Sequence, residues 1–372
     1  MKLVIFGLTV SSSWGNGHAT LWRGLIRALA ARGHDVVFFE RDVPWYAHNR
    51  DLHALPAGTL VLYPDWTASL AAARAHLADA DVAMVTSYQP DGVAATELVL
   101  ESPAAVRVFY DLDTPVTLDA LASGREVAYL GPRGLADFDL VLSYTGGEAL
   151  RQLRSRLGAR RVAPLYGHVD PDVHRPVAPA EHYRADLSYL GTYAEDRQAA
   201  LERLFLDPAR RLPERRFVIG GAQYPQDFPW VENVWFRTHV PPGDHPAFFS
   251  SSRWTLNVTR RAMAEMGWCP SGRLFEAAAC GCPVISDAWE GLDAFFRPGE
   301  EMVIARDADE VAAAMRMPDA ERGALARRAR ERTLDEHTSA HRAAELEGLL
   351  DAAFGAAEGA EWGTGGAVAG EG

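Results

Sequence analysis

The densest chemistry in this 372-residue chain lies between Leu256 and Asp287, LNVTRRAMAEMGWCPSGRLFEAAACGCPVISD. Pro270-Ser271-Gly272 reads as a helix start with Ser271 at the N-cap; Gly281 stops that helix, and Pro283 opens a buried strand. A helix N-terminus at the carboxyl end of a parallel sheet offers free N–H groups and partial positive charge, which suits an anion. Arg273 sits in the first turn, where a cation is unfavourable unless a bound anion compensates. Arg260 follows the preceding strand and reaches toward the same place, and two guanidinium groups beside a helix end suit a diphosphate. Glu276 lies on the face of Arg273, and it is not the capping-box acid, whose place is taken by Leu274. Its carboxylate suits the two hydroxyls of a ribose; the plainer alternative is an i,i+3 ion pair with Arg273.

A second constellation follows the first apolar run: Ser11-Ser12-Ser13-Trp14-Gly15-Asn16-Gly17-His18-Ala19-Thr20. Gly15, Gly17 and Thr20 nearly match a dinucleotide fingerprint, and Glu40 ends the second strand where such a motif places its ribose-binding acid. The threonine in the third glycine place and the longer loop depart from that pattern. Alternatively, Trp14, Gly15, Asn16 and Gly17 line a cleft, with His18 as the base that takes a proton from a hydroxyl or amine. As a purely structural residue, His18 would bond a neighbouring strand. Asp111 and Asp113, in Tyr-Asp-Leu-Asp-Thr-Pro, fall just past a strand end. They suit acceptor hydroxyls or a base, while Asp113 or Thr114 also suits the cap of a helix after Pro115. Asp111 is the freer of the two for chemistry.

These residues need a frame that brings distant loops together. Apolar runs at 2–8, 35–40, 81–87, 105–110, 139–144 and 161–166 read as buried strands. Amphipathic stretches at 20–32, 67–78, 92–100 and 147–157 separate them as helices. Short continuous apolar strands alternating with helices predict a doubly wound parallel sheet. GHVDPDVHRPVAP, rich in Pro, His and Asp, reads as a linker, and the alternation then restarts. Strands are expected at 187–190, 216–220, 254–258, 283–286 and 302–304, with helices at 195–205, 272–280, 291–296 and 308–315. Helical periodicity resumes from Asp319 to about Phe354, in one helix or two.

The expected domains are 1–167, a linker at 168–179, a second domain at 180–335, a helix at 336–354 and a glycine-rich disordered tail at 355–372. The fold class is therefore α/β, two Rossmann-like domains facing a cleft. Such sheets bind ligands at the carboxyl ends of their strands, so a two-substrate enzyme with one substrate per domain is expected.

Composition limits the function. Hydrophobic content of 48% and charged content of 23% belong to a folded chain, and the net charge of −13 argues against a general nucleic-acid or anionic-membrane binder. Three cysteines, Cys269, Cys280 and Cys282, make neither a disulfide framework nor a zinc set. A full signal h-region and a membrane-length apolar run are both lacking, which leads us to expect a cytoplasmic protein.

PSGRLFEAAACGCPVISD, followed by Glu290-Gly-Leu and Pro298-Gly-Glu-Glu, resembles the donor-site signature of GT-B glycosyltransferases of group 1. The resemblance is strongest to the CgeB-like, spore-maturation group. SSWGNGHATLWR, YDLDTPVTL, VDPDVHRPV and DLSYLGTYAEDRQ also resemble that group's segments, in order over most of residues 1–340.

The resemblance implies a GT-B fold, an acceptor mostly on the first domain, a nucleotide sugar on the second, and a final helix crossing back. It implies that Glu276 binds ribose, that Arg260 and Arg273 contact the diphosphate with Ser271 and Gly272 at the helix start, and that Gly191-Thr192 forms the loop after the first donor-domain strand. The first acid of the group's paired glutamates would fall at Trp268, where no acid stands. His18 resembles the acceptor-side histidine of inverting members.

The second domain has no Asp-x-Asp pair, and Asp111-Leu-Asp113 lies in the other half. Transfer is therefore expected without a metal or cofactor, the nucleotide sugar serving as co-substrate. Two rivals remain: a nicotinamide or flavin oxidoreductase using the first glycine loop, and a non-catalytic nucleotide-sugar binder.

Overall fold

The computed structural model describes residues 1–364, with side chains through residue 356. The first sheet holds β1 (Lys2–Gly7), β2 (Asp35–Arg41), β3 (Thr59–Tyr63), β4 (Val82–Thr86), β5 (Val106–Asp111), β6 (Leu140–Ser143) and β7 (Val162–Pro164). All its pairs are parallel, in the order β3-β2-β1-β4-β5-β6-β7. Its helices are α1 (His18–Ala31), α2 (Pro44–His48), α3 (Trp66–Leu77), α4 (Gly92–Leu100), α5 (Thr114–Ala122) and α6 (Glu148–Leu157). The central strands carry continuous apolar runs because helices cover both faces: Leu3 and Ile5 point into one buried cluster, Val4 and Phe6 into the other.

The second sheet holds β8 (Leu187–Leu190), β9 (Phe217–Gly220), β10 (Val234–Arg237), β11 (Thr255–Asn257), β12 (Val284–Ser286) and β13 (Val303–Ile304), in the order β10-β9-β8-β11-β12-β13. Around it lie α7 (Gln198–Leu201), α8 (Asp207–Arg211), α9 (His245–Ser250), α10 (Arg261–Met266), α11 (Gly272–Ala279), α12 (Ala308–Met315) and α13 (Asp319–Glu336). A π-helical turn, Glu202–Leu206, joins α7 to α8 ahead of Pro208, so this helical stretch runs beyond the expected end at 205. The helix expected at 291–296 is only a 3₁₀ turn, Leu292–Ala294.

Chain order reverses between β1 and β4 in one sheet and between β8 and β11 in the other. Those two switch points are where open sheets form ligand crevices.

The last helix, α14 (Ser339–Thr364), returns to the first domain: Ala343, Leu346, Leu350 and Ala353 are buried with Leu3, Trp22 and Tyr110. It continues past the expected end at 354 to Thr364, and the remainder of the expected tail, 365–372, lies outside the described residues.

Candidate active site

The loops at the two switch points face one cavity of ≈ 590 Å³, lined from both domains. On the second domain, Arg273 leaves the first turn of α11 and donates from Nε to the Leu190 carbonyl at the end of β8, and from Nη1 to Asn257 Oδ1 at 2.8 Å. The guanidinium lies over the Tyr189 ring, 4.9 Å from its centroid. Gly191 makes this path open, since a Cβ there would stand 2.8 Å from the Arg273 guanidinium. The Thr192 carbonyl accepts from Arg197 Nη1 at 3.1 Å, and Arg260 pairs with Asp196 at 3.1 Å. Arg197, Arg260 and Arg273 all line the cavity beside Ser271 and Gly272. Ser271 occupies the N-cap, yet its hydroxyl makes no cap hydrogen bond, so the first amides of α11 keep no side-chain acceptor. The arrangement is a pocket for a multiply charged anion.

Glu276 also lines the cavity, and no Arg273–Glu276 ion pair forms because Arg273 is turned toward β8 and β11. Its nearest ionisable neighbours are His174 in the linker, 3.9 Å away, and His245, 3.7 Å away. The carboxylate is thus open to a pair of hydroxyls.

On the first domain, Asn16 accepts the backbone N–H groups of His18 and Ala19 at 3.1 and 3.2 Å, which caps α1 and fixes His18 at the cavity wall. His18 Nε2 meets Asp113 Oδ2 at 3.0 Å, while Nδ1 is buried without a partner among the described residues. Burial works to raise the Asp113 carboxyl, but the His18 hydrogen bond and charge, then Arg260 and Arg197 across the cleft, outweigh it and hold it below the usual carboxylate range. The acid beside the histidine is therefore an ionised Asp113.

Asp111, the freer acid by sequence, does not line the cavity; it is fully buried, accepts the Asp113 N–H at 3.0 Å, and burial pushes its carboxyl up to about 6. The turn after β5 points it inward as a backbone anchor, which corrects the expectation of Asp111 as a base: the acid at the cavity is Asp113. The rival role of Glu40 is also displaced. Its buried carboxylate accepts Thr9 Oγ1, the N–H groups of Val10 and Ser11, and Ser11 Oγ, leaving nothing for a ribose.

The glycine loop reaches the opposite domain. Trp14 lies outside the cavity and packs on His239, ring centroids 4.6 Å apart, and a Cβ at Gly15 would stand 3.3 Å from Gln223. Gly17 lines the cavity beside His18. Sequence reasoning missed several cavity residues, among them Arg197, Tyr88 and His245. Arg197 falls within DLSYLGTYAEDRQ, but nothing in that segment's local pattern assigns it to the cavity. Tyr88, edge-on to His18 at 6.1 Å, takes a left-handed φ of 62°, a backbone strain that sequence does not reveal.

Trp268, at the place of the missing acid, has its indole against Gly147 of the first domain and Gly291 of the second. Its carbonyl accepts the Gly146 N–H at 3.0 Å.

Residues 197–348 match a family model described as glycosyl transferase-like. No curated protein matches the sequence. Among solved structures, the chain is similar to sucrose-phosphate synthase from Thermosynechococcus elongatus, with a TM-score of 0.71 and 17% identity over 95% of this chain and 99% of that one. It is similar to an α-glucosyltransferase in complex with UDP-glucose and DNA containing an abasic site, with a TM-score of 0.70 and 12% identity over 94% and 99%. It is also similar to HepE of Anabaena in complex with UDP and glucose, with a TM-score of 0.67 and 12% identity over 95% and 100%. The chain has the two-domain GT-B fold, and within it residues 197–348 are glycosyl transferase-like.

Proposed function

We propose that the chain is a glycosyltransferase that moves a sugar, with inversion, from a nucleoside-diphosphate sugar on the second domain to a nucleophile on the first. The observation that carries this reading is the His18–Asp113 pair facing Arg197, Arg260, Arg273 and the α11 N-terminus across one cavity. Asp113 holds the Nε2–H of His18, which leaves Nδ1 as the basic nitrogen; Nδ1 is buried at the cavity wall, so the ring turns toward the cavity for it to take the acceptor's proton. The acceptor atom then bonds to the anomeric carbon as the bond from that carbon to the diphosphate oxygen breaks. The electron pair leaves with the diphosphate, where three guanidinium groups and the helix end stabilise the charge. One displacement inverts the anomeric centre.

The charge those groups supply supports transfer without a divalent metal. The sequence segments favour the CgeB-like group, and three free, buried cysteines favour a reducing, cytoplasmic setting. No described helix is long and apolar enough to cross a membrane. One structural relative is recorded with DNA, but the net charge of −13 here favours an acceptor that is not a nucleic acid.

A thermal-shift series with UDP, GDP, TDP, CDP, ADP and NAD(H), with and without chelator, tests the donor site. We expect stabilisation by a nucleoside diphosphate, unchanged by chelator and lost in Glu276→Ala. Stabilisation by NAD(H) alone would return the oxidoreductase reading. The anomeric configuration of the product, read by NMR, tests the mechanism: retention would remove His18 as the base of a single displacement.

A further inference from the structure

At the ribose end of the cavity, three potential metal ligands converge. His174 comes from the linker, His245 opens α9, and Glu276 comes from α11. The His174 Nε2 and His245 Nδ1 atoms are 3.4 Å apart; Glu276 Oε1 lies 3.9 Å from the first and Oε2 3.7 Å from the second, and with one atom per residue the three ligand atoms all lie within 4.8 Å of one another. A tetrahedral ion with ligands at about 2.0–2.2 Å separates them by roughly 3.3–3.6 Å, so the two imidazoles already stand at ligand spacing, and a turn of the Glu276 carboxylate that brings one oxygen inward completes one face of a zinc site. No other group of three His, Cys, Asp or Glu among the described residues converges in this way.

Two details prepare the triangle for a cation. His245 Nε2 is 3.2 Å from the Val240 carbonyl, the usual orientation in which a ligating imidazole directs its other nitrogen at the metal. His174 itself is buried, which shields that corner of the triangle from bulk water. His245 and Glu276 line the cavity, so a fourth position faces the open space.

We propose that His174, His245 and Glu276 bind a zinc-like divalent transition cation that occupies the ribose seat and competes with the nucleotide. The competition rests on the donor reading above; the metal site itself does not. The ion acts here as an inhibitor and takes no part in transfer.

Titration of the metal-stripped full chain with Co²⁺, followed by the visible bands of tetrahedral cobalt, tests the site. We expect one equivalent to bind, and His174→Asn, His245→Asn and Glu276→Gln each to weaken it by about tenfold or more. Circular dichroism of each variant checks folding, and Glu276→Gln, a near-isosteric change on the cavity wall, keeps the test valid if a histidine variant unfolds. Absence of the bands, or bands that persist in folded Glu276→Gln, would overturn the site. Ribonucleosides, which carry the ribose diol but no phosphate to chelate cobalt, form the second arm. Bleaching of the bands by one of them supports the competition. Cobalt that binds through Glu276 and resists every nucleoside would keep the metal site, overturn the competition and remove Glu276 from the donor reading.

Discussion

His18 and Asp113 are separated by 95 residues and meet because the loop after β1 and the turn after β5 end on the same side of the sheet. If Nδ1 takes the acceptor's proton, His18→Ala should lower kcat by about 10²–10⁴ while leaving nucleoside-diphosphate affinity unchanged. Steady-state kinetics beside a binding titration decide the point. A parallel loss of affinity would make His18 a structural or donor-binding residue. Asp111→Asn belongs to a different class of change, because that carboxylate is buried away from the cavity. The residue types for this chemistry were legible in the sequence: His18, Asp113 and Arg273 stand at helix starts, and Glu276 lies one turn into α11. Their pairing was not, since the direction of a side chain after β5 depends on one turn's dihedral angles.

The elements around Trp268 show what single-chain periodicity leaves out. Gly147 has φ of 56°, and a Cβ there would stand 2.6 Å from Trp268 Cδ1, so the indole occupies space that glycine alone leaves. Trp268 leads through Cys269 and Pro270 to the start of α11, which couples the first-domain loop to the anion pocket. Gly147→Ala should therefore cost about 1–3 kcal/mol of stability from the left-handed backbone and the displaced ring, and should also weaken diphosphate binding. Calorimetric melting and titration with a nucleoside diphosphate test this together; an unchanged affinity in the destabilised variant would uncouple the loop from α11. The sequence marks residue 268 only as the place of a missing acid, because a contact with residue 147 leaves no trace in local pattern. The buried strands, in contrast, were read within a residue or two. The edge strands β3 and β10, TLVLY and VWFR, were missed although each carries a short apolar run; at the sheet edges most of their side chains are only partly buried.

At the scale of the molecule, buried histidines gather where the chain passes between domains. His168 and His174 lie in the linker, His337 joins α13 to α14, and His245 faces the linker histidine. His168 meets Ser339 at 2.9 Å, and His337 Nδ1 accepts from Arg342 at 3.0 Å, a bond that requires a neutral ring. Burial first, and Arg342 next, lowers His168 and His337 to about 3; burial lowers His174 and His245 to about 4. Below the unfolded histidine value near 6.5 the unfolded chain takes up protons that the folded chain refuses, so stability falls as pH falls toward 4. Each histidine contributes up to about 1.4 kcal/mol per pH unit in that window. Asp111, raised to about 6 by burial, binds its proton more readily when folded and offsets one of them between its unfolded value and 6. Thermal melts from neutral pH toward 4 should show a steep decline, and His337→Gln should make it shallower by close to one proton. A flat profile would mean that these imidazoles accept protons in the folded chain, and that the domain junction is wetter than its packing implies.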